Sequence, residues 1–165
     1  MATVGVSARN IFTAIIAKLQ ADNCLPDGRV YLSFRQNPPA LEGKNSLVVV
    51  PLYSTFLQET TEGHGRQFIY KKGRVQIYYR HNASVDVNYE DDHWALDDGG
   101  LIDVLDKVED SLDLYHPQDF TGNFLLRHPM RAFMTNEPRK DYKDQTQGDA
   151  MVELEIEWQA LRTTP

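Results

Sequence analysis

The 165 residues, 41% hydrophobic and 25% charged, have the length and balance of one globular domain whose core needs neither disulfides nor a structural metal. No apolar run approaches the roughly 18 to 20 residues that span a bilayer, and the start lacks a basic segment followed by an apolar one, so neither membrane insertion nor a cleaved secretory signal is expected. Twenty-four acidic against seventeen basic side chains give a net charge of −7, which opposes direct binding to nucleic acid, and the one cysteine, Cys24, has no internal partner.

In chain order, Ser7 is placed to cap a helix whose apolar positions Ala8, Ile11, Phe12, Ile15, Ile16 and Leu19 form one stripe, ending near Asn23. A short strand is expected over Arg29 to Phe34. Leu47 to Val50 is a continuous apolar run, mostly valine, suited to a strand covered on both faces, and Pro51 after it demands an edge position or a bulge. Phe56 to Glu62 and Arg66 to Lys72 flank Gly63-His64-Gly65 as a hairpin. Gly73 is expected to break the second strand before Arg74 to Arg80 resumes with Val75, Ile77 and Tyr79 on one face.

A second helix is expected between about Asp97 and Tyr115, with Leu101, Val104, Leu105, Val108 and Leu112, extended by Tyr115, as its buried stripe. Asp97 and Asp98 would favour its N-terminus, and His116-Pro117 would stop it. Leu125 to Thr135, interrupted by Pro129, and Ala150 to Leu161 read as closing strands; Val152, Leu154, Ile156 and Trp158 alternate with Glu153, Glu155 and Glu157. Between them, Asn136 to Asp149 is too polar to pack and reads as a mobile arm that becomes ordered against a partner. The whole is an α+β domain: a mostly antiparallel sheet with two main helices on one face. No internal repeat is visible.

Motifs of nucleotide, esterase and zincin chemistry are absent from the sequence. Cys24 sits at a helix end with no motif around it and reads as a structural thiol. Glu90-Asp91-Asp92-His93-Trp94 is the densest polar cluster, but its spacing is not that of a calcium loop and adjacent loop side chains rarely converge on one ion. No cofactor, metal site or catalytic residue is therefore assigned. Tyr53, Tyr70, Tyr78, Tyr79 and Tyr89 near basic residues suit strand packing better than base stacking. Asn82-Ala83-Ser84 fits a glycosylation acceptor, which matters only in a secreted chain.

Charge is unevenly spread: residues 66 to 85 hold five bases and no acid, whereas residues 86 to 119 hold twelve acids and one base. Such runs can simply keep a surface wet, or they can match one copy to the next, because complementary patches steer docking and fix its register. On the second reading the interface residues are Arg66, Lys71, Lys72, Arg74, Asp91, Asp92, Asp103 and Asp106, joined by Arg139, Lys140 and Lys143 of the arm.

The order of elements, from the helix Ser7 to Leu19 through Leu47 to Val50, Arg74 to Arg80 and the acidic helix Leu101 to Leu112 to the closing strand Val152 to Trp158, resembles the tail terminator (tail completion) proteins of long-tailed and contractile bacteriophages. The likeness spans nearly the whole chain and rests on element order and size, so no individual residue is carried over. It implies a virion protein, assembled in the host cytoplasm and not an enzyme, that forms a homo-oligomeric ring, usually of six copies. Such a ring caps the growing tail tube and joins it to the head-side connector or neck. A hydrolase built around Asp91, Asp92 and His93, or a generic cytosolic binding domain, stays open as an alternative.

Overall fold

The Ser7 hydroxyl accepts the Asn10 amide at 3.4 Å and starts α1 (Ala8–Ala21) as expected. Asn23, at φ 51°, ends the helix in the left-handed conformation that asparagine tolerates. The structure, a computed structural model, describes residues 6–25, 30–32, 45–52, 58–62, 66–82, 100–134, 139–140 and 147–161. After α1 come β1 (Val30–Leu32), β2 (Ser46–Leu52), β3 (Gln58–Glu62), β4 (Arg66–Asn82), α2 (Leu101–Leu112), β5 (Arg131–Met134), β6 (Arg139–Lys140) and β7 (Gln147–Leu161). The strands form one sheet in the order β1-β2-β4-β7-β5, with β3 also pairing β4 and β6 also pairing β7. Every described pairing is antiparallel except β1 with β2, so the fold is α+β.

Strand alternation sorts the side chains. Leu47 and Val49, Val75, Ile77 and Tyr79, Val152, Leu154, Ile156 and Trp158, and Ala132 share a face and merge with the buried stripes of both helices into one core. α2 contributes Leu101, Val104, Leu105, Val108 and Leu112, all fully buried, each worth about 1.5–3 kcal/mol relative to exposure. Val48 and Val50 are buried on the opposite face, as the continuous apolar run of β2 required. Pro51 sits opposite Val75 in a continuous register with β4, so no bulge forms at the proline.

Three expectations need correction. Gly73 does not break a strand: β4 runs unbroken through it, because an added Cβ would stand 3.3 Å from Cζ3 of Trp158, and glycine is what lets the indole lie against the backbone. α2 is shorter than expected at both ends. It begins after Gly100, so its first-turn acid is Asp103, and it ends at Leu112, before His116-Pro117, where Leu114 turns to φ 61° and its amide bonds the Met130 carbonyl. Leu125 to Pro129 is not strand; it bends, with Leu125 and Leu126 buried, and β5 starts only at Arg131. Of the polar stretch 136–149, only Arg139–Lys140, in β6, and Gln147 to Asp149, in β7, are among the described residues, and they pair through the backbone, which requires no apolar side chains. Asp97, Asp98 and residues 141–146 lie outside the described residues.

Candidate assembly surface

Within β4 the basic residues do not make one patch. Arg66 pairs in register with Glu62 at the β3 hairpin, and Lys71 and Lys72, being consecutive in a strand, lie on opposite faces. Lys71 is opposite Trp158 on the helix-covered face; Lys72 shares the outer face with Arg74. Arg74 is committed within its own chain, to Glu153 at 3.2 Å and Glu155 at 3.7 Å. Gln76 donates to Glu153 at 3.3 Å and accepts from the Tyr78 hydroxyl at 2.8 Å, while Arg127 pairs with Glu157. Part of the basic run is thus answered by the glutamates of β7, which sequence distance hides and strand pairing brings alongside. Lys72 and, on β5, Arg131 are exposed on this outer face with no ion pair among the described residues.

The acids divide in the same way. Asp103 is bridged by Lys107 at 2.8 Å, one turn on. Asp106 and Asp110 are exposed one turn apart, opposite the buried stripe of α2, with no ion pair among the described residues. Like charges at that spacing are mildly destabilising within a helix. Asp91, Asp92, His93 and Lys143 lie outside the described residues, and Arg139 and Lys140 are placed only as backbone against Asp149 and Gly148. Of the expected set, Lys72 on one face, in register with Glu157, and Asp106 on the other make no ion pair among the described residues.

A feature the charge pattern did not reveal is the segment between α2 and β5. The Asp119 carboxylate accepts from the Thr121 amide at 2.8 Å, the Thr121 hydroxyl at 2.7 Å and the Asn123 amide at 2.9 Å, and Gly122 at φ 83° completes the turn. These bonds hold the Asp119 carboxyl down at about 2, the Thr121 hydroxyl contributing most. Phe120, next to Asp119, is 101% exposed, and Phe124 stacks on the His116 ring at 3.9 Å while remaining half-exposed. The His116 Nε2 is 2.8 Å from the Leu126 carbonyl. Leu114, Phe120, Phe124 and Phe133 are four of the five exposed large hydrophobics among the described residues. The signal available in the sequence was Asp119-Phe120-Thr121-Gly122-Asn123, a side-chain-capped turn that places an aromatic at its tip.

Cys24 is buried in the core, its thiol 3.5 Å from the Lys107 carbonyl, and burial raises its pKa, which suits a structural thiol. Among the described residues no cluster of three His, Cys, Asp or Glu could hold a metal ion, and no helix is long and apolar enough to cross a membrane.

The chain matches no protein-family model and no curated protein sequence. A protein of known structure with 13% sequence identity aligns over 98% of this chain and 99% of its own, with a TM-score of 0.49, a similarity too low to carry a functional argument.

Proposed function

We propose that this protein is a structural component of a bacteriophage virion. Its copies form a ring, of six in the proteins it resembles, at the head-proximal end of the tail, terminating the tube and joining it to the head connector. The observation that carries the reading is self-complementary charge. Among the described residues Asp106 and Asp110 on the helical face make no ion pair, and neither do Lys72 and Arg131 on the outer sheet face, although each of these two lies across from a glutamate of β7. Opposite charges on different faces favour head-to-tail contact, which closes into a ring when the rotation between copies permits. The α+β element order agrees with the resemblance along the chain.

Light scattering after size exclusion, with electron microscopy of the peak, tests this. A mass near six copies and ring-shaped particles that bind the ends of purified tail tubes are expected. A protein that stays monomeric at high concentration and ignores tail tubes would overturn it. Titration of the same preparation with zinc and manganese addresses the hydrolase alternative around Asp91, Asp92 and His93: heat release with saturation would favour that alternative.

A further inference from the structure

We propose that Asp113 and the backbone of Leu114 and Tyr115 form a strap that closes the β5 edge of the sheet against a strand of a second copy, with the Asp113 carboxylate as its catch. β5 ends the strand order β1-β2-β4-β7-β5, so its far side carries backbone groups that no described strand meets. Such a row is a template for one more strand, because its amides and carbonyls are ready to pair with another chain. On this side the Ala132 amide donates to Oδ1 of Asp113 at 3.2 Å. Just before it, the Met130 amide donates to the Tyr115 carbonyl and the Met130 carbonyl accepts from the Leu114 amide, both at 2.9 Å. Alternation turns the amides of Arg131 and Phe133 the other way, towards β7. The outward amides at 130 and 132 are thus both taken up within the chain, a device that works whether or not the copies form a ring.

Two features of the strap are unfavourable locally and make sense only through the edge. Asp113 is the C-cap of α2, where the negative end of the helix disfavours a carboxylate, and no base in the last turn offsets it. Helix formation alone gives no reason for an acid there; acceptance from Ala132 does. Leu114 leaves the helix at φ 61°, a conformation that L side chains rarely adopt, and its side chain is 63% exposed. That turn gains little apolar burial, but it carries the Leu114 amide onto Met130 and leads the chain back past β5. Tyr115 then packs against the core with the Lys18 ammonium 5.4 Å from its ring, which anchors the far end of the strap.

The test compares the full-length chain with Asp113→Ala and Asp113→Asn. Asp113 is exposed, and loss of a negative charge at the C-terminus of α2 favours the helix, so both variants are expected to fold with the parent's circular dichroism. Hydrogen exchange resolved to single amides by mass spectrometry should show Ala132 exchanging at least about tenfold faster in Asp113→Ala, while Arg131 and Phe133 keep the parent's rates. Asp113→Asn retains a side-chain oxygen that accepts, and should keep Ala132 protected. Light scattering over a concentration series should show Asp113→Ala forming species larger than the parent's, with an added intermolecular-sheet band in the infrared spectrum, whereas Asp113→Asn matches the parent. Unchanged exchange at Ala132 in Asp113→Ala would remove Asp113 as the catch. Faster exchange with the parent's mass and infrared spectrum would overturn the guarding role, leaving a bond that merely ties α2 to β5. Failure of both variants to fold would sink the proposal as well, because a residue on which the fold itself depends is not an edge guard.

Discussion

Asp119 receives the amides and hydroxyl of Thr121 and Asn123 while its neighbour Phe120 stands in solvent, so one carboxylate determines whether an aromatic is presented or left loose. Its folded-state pKa is lowered from the ordinary 3.8 to about 2. Stability from this group is therefore complete above its unfolded value and is lost as pH falls through about 2. Thermal melts of the parent and of Asp119→Ala should differ at pH ~4.5 and converge towards pH ~2; a difference that stays constant would mean the turn is held by something else. Leu114 offers a second test, since it is exposed and adopts φ 61°, a conformation that costs a side chain about 1–2 kcal/mol. Leu114→Gly should leave stability unchanged or raise it by up to about 1 kcal/mol in urea denaturation, the larger unfolded-state entropy of glycine offsetting part of the relief.

Between elements, the β4–β7 pairing fixes two further outcomes. Gly73→Ala would ordinarily favour a strand, but the new Cβ would stand 3.3 Å from the indole of Trp158, which is 2% exposed and would have to shift by a few tenths of an ångström. A loss of about 1–3 kcal/mol is expected from overpacking, and an increase in Tm would show that the ring can move. Arg74→Ala strips the ion-pair partner from Glu153, whose side chain is 10% exposed, and should cost about 1–3 kcal/mol. Arg131→Ala, on the same sheet face without an ion pair among the described residues, should stay within about 0.5 kcal/mol, so chemical denaturation of the two variants side by side checks the network. The periodicity of α2 named its buried residues correctly because a stripe at helical spacing has one way to face a core. The ends of α2 were not legible, because Leu114 leaves the helix to bond Met130, a partner sixteen residues away.

At the scale of the molecule, the helical layer carries acids and the outer sheet face bases that make no ion pair among the described residues. Roughly 1 M salt, where the Debye length is about 3 Å, should then dissociate assemblies that persist in dilute buffer, as read from the apparent dissociation constant; indifference to salt would leave apolar contact alone as the driving force. The sequence by itself determined the α+β class, the start of α1, the two-faced burial of β2 and the alternation of β7, since each follows from local spacing of apolar residues. It also located the charge runs, but not what they meet. Only the tertiary structure placed Glu153 and Glu155 beside Arg74 and explained Gly73 by Trp158. These partners are about 80 residues apart along the chain, and only the pairing of β4 with β7 brings them within reach of one another.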